Sequence, residues 1–262
     1  MGSLVALLVF AFFSYPFSVL PFPILLVFLL AMSGVNGTQM KQMWQNNTDK
    51  FLRKSVIIRL ICVICVLVTS FCLWKQYPIY KAYKQWNSSR LYYQYGMYRE
   101  AALSYEPLYP FLNDNLQFLF EYGSKLSQAA ILDSKWIEEE TRDFRWPQQM
   151  ADRIRRDLLT TSNHVLRHAT QISCDPMLYN IMGKNHQAMK EYDLAEENLL
   201  KSSYIVPNRL YPHYLLMKLY IEMGDDAKAQ EAANIVLTKR PKVQSRAVEE
   251  MREEARKLKT KN

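Results

Sequence analysis

Two stretches of this chain repeat at a fixed distance, and that spacing limits its possible folds more than any other feature. "MKEYDLAEENLLKSSYIVPN" and "MGDDAKAQEAANIVLTKRPK" align so that Ala195 and Ala229 lie 34 residues apart, as do Pro207 and Pro241. A unit of that length holds two helices and their turns. Each unit leaves an apolar side that only a neighbouring unit can cover. The spacing therefore predicts a stack of helix pairs rather than one closed core.

The residue types fit that register. In the unit 176–209, Tyr179 and Met182 are bulky core residues of the first helix (helix A), and Gly183 permits close approach of the second (helix B). Ala195 is the small residue where the two helices touch, Leu199 packs below it, and Pro207 ends helix B. In the unit 210–243, Leu216, Tyr220, Ala229 and Pro241 repeat the pattern, with Met217 where glycine is usual. Upstream, "YQYGMYREAALSYEPLYPFLND" has the same form, with Tyr92, Ala101 and Tyr105 at the corresponding places. A further unit is split. "NLQFLFEYGSKLSQAAIL" supplies a helix A around Gly123, and its helix B, "LLTTSNHVLRHATQISCDP", follows only after a charged insertion at 132–157, helical on both sides of Pro147. The tail 245–262 has few large apolar residues and reads as a solvating cap helix. The period and the residue pattern are those of tetratricopeptide repeats, over 75–244.

The N-terminal part reads differently. Residues 2–35 hold no charged side chain, and Pro16, Pro21 and Pro23 interrupt them. Proline lacks the helix donor and pushes its predecessor to extended geometry, so three so close together argue for a turn. A transmembrane hairpin over 1–35 is expected, with one helix to Phe13 and another from Phe22 to Met32. A cleaved signal peptide fits poorly, for want of a basic leading region. "SVIIRLICVICVLVTSFCLW" (55–74) has the length and apolarity of one further transmembrane helix, with Arg59 able to snorkel and Trp74 suited to an interface. The loop 36–54 carries four basic residues and is expected in the cytoplasm, which places everything after residue 74 on the far side, although Lys75, Lys81 and Lys84 make that flank basic too.

Charge and cysteine follow the same division. The net charge of +8 splits into +4 before residue 75 and +4 spread over the long remainder, too dilute for a nucleic-acid surface. Cys62, Cys65 and Cys72 lie in the apolar run and only Cys174 lies in the polar part, so no disulfide can form within the latter. The C-x-x-C at Cys62 and Cys65 reads as apolar filler.

Candidate sites are few. His164 and His168 share a helix face but lack a third ligand at helical spacing, so neither a metal nor another cofactor is expected. His186 and His213 fall on helix-A core positions, and Glu138, Glu139 and Glu140 read as a solvated run. Glycosylation sequons at Asn36, Asn46 and Asn87 would matter only in a eukaryotic source. Repeat arrays of this kind display certain helix-A positions on a concave surface. By register these are Tyr83, Trp86, Arg90, Tyr93 and Gln94, then Met177, Asn180, Lys184, Gln187 and Ala188, then Tyr211, Tyr214, Lys218, Ile221 and Glu222. Aromatic rings beside Lys and Arg suit a peptide or a sugar chain.

The opening run, broken at "FSYPFSVLPF" and resumed as "ILLVFLLA", resembles the last membrane segments of the O-antigen ligase/polymerase family. "QISCDPMLYNIMGKNHQAMKEYDLAE" and "VPNRLYPHYLLMKLYIEMGD" are similar to the tetratricopeptide tail of Bacteroides-type members. The resemblance implies a bacterial inner-membrane protein with its repeats in the periplasm, acting in cell-surface polysaccharide assembly by binding proteins or glycan intermediates. It also implies glycan-transfer chemistry in the family. The large periplasmic loop that carries the family's catalytic residues has no match here, so the resemblance implies that the chain looks like the C-terminal part of such a protein, and no catalytic residue is carried over. A general envelope interaction scaffold is the alternative. The fold class expected is all-α: a transmembrane hairpin and one further span, then an α-solenoid.

Overall fold

The computed structural model describes residues 48–240 and 244–260; for 48–62, 65 and 66 it describes the backbone alone. The hairpin expected at 1–35 and most of the loop 36–54 lie outside the described residues. The chain divides into two units, residues 1–80 and 81–262. All regular structure among the described residues is helical.

The first helix, α1 (Thr48–Gln94), runs through both units. It is longer at each end than the helix expected at 55–74. No glycine or proline falls between residues 48 and 77 to stop it, and Pro78 is accommodated inside it. Within the first unit, Val63, Ile64, Leu67, Val68, Phe71 and Trp74 are exposed. Among the described residues no helix is long and apolar enough to cross a membrane. Much of the 55–74 run falls on residues whose side chains lie outside the description.

The second unit is a series of helix pairs. The end of α1 is followed by α2 (Tyr98–Ser104), a 3-10 turn at Glu106–Leu108 and α3 (Tyr109–Leu112). Then come α4 (Leu116–Ile131), α5 (Lys135–Thr141) and α6 (Pro147–Ile172). The pairs α7 (Pro176–Ala188) with α8 (Tyr192–Ile205), and α9 (Leu210–Met223) with α10 (Asp226–Thr238), follow, and α11 (Arg246–Thr260) closes the series. The turns have local causes. Asn115 and Asp225 accept from the third residue of their helices, which satisfies an otherwise orphaned N–H. Gly224 ends α9 at φ 75, a left-handed cap that glycine adopts without strain.

Within each pair one small residue lets the helices touch. A Cβ on Gly183 would stand 2.7 Å from Leu199 Cδ2, and one on Gly123 2.5 Å from Leu166 Cγ. Gly123 and Leu166 join α4 to α6, with the α5 segment inserted between them in sequence, and the Ser162 hydroxyl donates to the Gly123 carbonyl at 2.6 Å. In the α9/α10 pair the sizes exchange: Met217 stands where Gly183 does, and the residue 34 after Leu199 is Ala233. Both are buried in one core cluster with Ala229 and Val236. The sequence pattern therefore marks a shared volume at the interface rather than a required glycine.

The first repeat departs from the others. Its helix B is only α2, because Pro107 and Pro110 would clash with the carbonyls four residues earlier. Ala101 and Tyr105 are nonetheless buried, and Tyr105 stacks on Tyr122 of α4 with centroids 5.5 Å apart.

Candidate functional site: the helix-A face

The first helices of successive units are α1, α4, α7 and α9, with α11 packed beyond. The sequence placed its binding residues on α1, α7 and α9, and the structure sorts these into two groups.

Around α1 and α4 the candidates are engaged with one another. Trp86 is only 7% exposed; its ring meets Phe118 edge-on at 5.5 Å and its Nε1 donates to Glu121 Oε2 at 3.0 Å. Arg90 lies over that ring at 4.6 Å and donates from Nε to Glu121 Oε2 at 2.6 Å and from its second terminal nitrogen to Oε1. Burial acts to raise the Glu121 carboxyl, but the Arg90 hydrogen bond and charge outweigh it and hold the group below the usual carboxylate range. The Tyr93 hydroxyl donates to Asp133 at 2.6 Å while Lys125 Nζ sits 3.7 Å from its ring centre. Burial, then that hydrogen bond, raises the Tyr93 phenol. Tyr83 is exposed, and its hydroxyl accepts from Asn115 at 3.0 Å. Gln94 is exposed at the end of α1. Trp86 and Arg90 thus join α1 to α4 instead of lining an open surface. Glu121 of α4 and Asp133 just past its end, the carboxylates that Arg90 and Tyr93 meet, were not among the expected residues, all of which lay on α1, α7 and α9.

On α7, Asn180 also departs from expectation. It is 1% exposed, its amide nitrogen 3.7 Å from Met177 Sδ, and its Oδ1 has no hydrogen-bond partner. Lys184, one turn on, is half-buried and meets no carboxylate among the described residues. Burial lowers its pKa, and the charge of Lys218 lowers it further. Gln187 donates to Glu222 Oε2 at 2.6 Å, and the Tyr192 hydroxyl reaches the same carboxylate at 3.2 Å.

On α9, Tyr211 stacks on Tyr214 with centroids 6.5 Å apart. The Tyr214 hydroxyl donates to Glu254 of α11 at 2.8 Å, and Lys218 lies 5.4 Å from its ring centre. Burial raises both phenols. Lys218 is exposed and 3.9 Å from Glu254. Between α9 and α11 a cavity of about 290 Å³ is lined by Met217, Lys218, Ile221, Glu254, Lys257 and Leu258. The α11 residues were not anticipated, because the tail was read only as a polar cap. The α7–α11 part of the face therefore combines stacked phenols, an apolar recess and lysines interleaved with carboxylates, with Lys184 half-buried among them.

The histidines have structural partners. His168 Nδ1 is 2.9 Å from the Tyr109 hydroxyl, and the His164 ring lies 6.4 Å from the Tyr109 ring. His186 is buried with both ring nitrogens bonded: Asn163 Nδ2 at 3.2 Å from Nε2 and Glu191 Oε2 at 2.7 Å from Nδ1. Asn163 can only donate there, so the proton sits on Nδ1. No group of His, Cys, Asp and Glu among the described residues is arranged to hold a metal ion.

The fold and this face define a helical-repeat protein, a stack of antiparallel helix pairs with a 34-residue period. No protein-family model matches the chain, and no curated protein does. Solved structures do show similarity. A crystal structure of the MamA protein superposes with a TM-score of 0.47 at 17% identity, covering 69% of this chain and 88% of that one. A second MamA structure gives 0.45 at 18%, covering 66% and 91%. A thermophilic tetratricopeptide protein of Thermus thermophilus gives 0.37 at 16%, covering 68% and 99%.

Proposed function

We propose that this chain is a protein-interaction module whose helix-A face between α7 and α11 receives an acidic segment of a partner. The observation that carries the reading is Lys184, a half-buried cation that makes no ion pair among the described residues and has a second lysine, Lys218, acting on it. Such a charge destabilises the fold until an anion neutralises it. Tyr211 and Tyr214 offer stacking surface, and the recess beside Ile221 and Leu258 offers an apolar seat. The test is affinity capture from cells with the tagged full chain. The expected result is a defined partner that is lost with Lys184→Glu/Lys218→Glu while Gln230→Glu on α10 retains it. Unchanged recovery with the double variant rejects the assignment.

We further propose that the apolar run 55–74 tethers the module to a bilayer, in support of which Val63, Ile64, Leu67, Val68 and Phe71 present apolar side chains to solvent. In this reading the protein belongs to the bacterial inner membrane with its repeats in the periplasm. It serves cell-surface polysaccharide assembly by holding partner proteins or glycan intermediates, and it does so by binding rather than catalysis. The order of apolar segments and repeats, which resembles the O-antigen ligase/polymerase family, supports it. Extraction with alkaline carbonate tests the tether: the chain stays with the membrane if the reading holds. Deleting the gene tests the polysaccharide link: altered surface glycan supports it, and unaltered glycan leaves the general scaffold.

A further inference from the structure

The segment inserted between α4 and α6 is held firmly at its base and open at its tip. Ile137 and Thr141 of α5 are buried, and Trp136 Nε1 donates to the Ala129 carbonyl at 3.2 Å. Arg99 bonds Glu140 at 2.8 Å, tying α5 to α2. Past Thr141 the pattern inverts. Phe144 is 49% and Trp146 61% exposed, although Phe and Trp gain most by burial. Together with Arg145, Gln149, Met150 and Arg153 they line a cavity of about 350 Å³. That lies at the lower end of the roughly 300–1,000 Å³ of pockets that take small groups.

The charged side chains that line this cavity, Arg145 and Arg153, are both cationic. Residues 142–156 contain five arginines and two aspartates. Arg155 is drawn to Asp152 at 3.0 Å and Glu138 at 3.9 Å, and Arg156 to Glu191 at 3.7 Å. Arg142, Arg145 and Arg153 make no ion pair among the described residues, and no carboxylate lines the cavity. Arg145 instead lies 5.6 Å from the Trp146 ring centre. Arginine stacked on an aromatic keeps its donors free for a second partner.

We propose that the insertion carries a second docking site, for an acidic peptide segment that places one bulky apolar side chain between Phe144 and Trp146 and its carboxylates on Arg145 and Arg153. An anionic bilayer would feel the same charge but needs no recess; the cavity favours a single inserted side chain. The site does not depend on the helix-A face. The test is fluorescence anisotropy of a labelled peptide, Glu-Asp-Glu-Phe-Asp-Glu-Glu, titrated with the full chain in neutral detergent. Saturable binding is expected, weakened at least about tenfold by Arg145→Glu/Arg153→Glu and by Trp146→Ala. Glu231→Gln should leave it unchanged, and the part of the binding that Arg145→Glu/Arg153→Glu removes should persist in Lys184→Glu/Lys218→Glu. Replacing the peptide's Phe with Ala should weaken it as well. Equal binding by the insertion variants overturns the proposal. So does binding that only the lysine variants abolish, or an arginine-dependent association with phosphatidylglycerol vesicles without peptide binding. Circular dichroism confirms that the variants stay folded; the three insertion side chains, Arg145, Trp146 and Arg153, lie at the surface.

Discussion

Gly183 and Leu199 occupy one volume between two helices, and their repeat equivalents, Met217 and Ala233, fill it in the opposite sense. A Cβ at Gly183 meets the branched carbon of Leu199 and, at 3.3 Å, the Ala195 carbonyl, so neither neighbour yields cheaply. Gly183→Ala is expected to destabilise by about 1–3 kcal/mol. Leu199→Ala should cost about 2–5 kcal/mol by leaving a cavity. Gly183→Met combined with Leu199→Ala should lose clearly less than the two single changes together, as read by urea denaturation. Lys184 makes the opposite prediction. Lys184→Met removes a desolvated charge beside Lys218 and should raise the melting temperature while it weakens partner capture. The register that located these residues came from alanine and proline spacing alone. It also placed Trp86 and Asn180 on the open face, because spacing reports which side of a helix a residue takes. It does not report how closely the next helix approaches, and α4 approaches α1 closely enough to bury the Trp86 ring.

Elements are fixed by breakers where breakers exist. Pro147 marks the start of α6, since proline suits the first helical position. Nothing between residues 148 and 172 interrupts it, so the insertion and the delayed helix B fuse into one helix, a continuity that the 34-residue register alone did not disclose. The joints between elements are polar as well as apolar. Ser127 donates to Asn185 Oδ1 at 2.6 Å, and Asn185 Nδ2 donates to Ser162 at 2.9 Å and to Asn163 at 2.8 Å, linking α4, α6 and α7 in the interior. Asn185→Ala strands several of these groups and should cost about 3 kcal/mol. The sequence offers no hint of this network, because each member looks like an ordinary helix residue until three helices converge. The Arg90–Glu121 joint adds a pH dependence. The Glu121 pKa is lowered in the folded state, so its contribution is complete above the unfolded carboxyl value of about 4.3 and is lost as pH falls below it. Thermal melts from pH 6 to pH 3 should fall less steeply for Glu121→Gln than for the unsubstituted protein.

At the scale of the whole molecule, stability depends on neighbours. Val248, Met251 and Leu258 of α11 pack against the α9/α10 core, and Ala255 is fully buried. Residues read as a polar cap therefore close an apolar face, and they also supply Glu254, Lys257 and Leu258 to the candidate site. The all-α stacked architecture was legible from the period, because a periodic sequence repeats its packing problem. The candidate face was legible only in part, because it is shared between helices that the period does not pair. Whether the face between α7 and α11 receives a protein is best decided by photo-crosslinking in living cells, with a photoreactive residue placed at Gln187, at Lys218 or at Glu231 on α10. A defined protein partner crosslinked from 187 and 218 and absent from 231 is the expected result. Equal crosslinking from all three positions, or none from 187 and 218, would contradict the assignment.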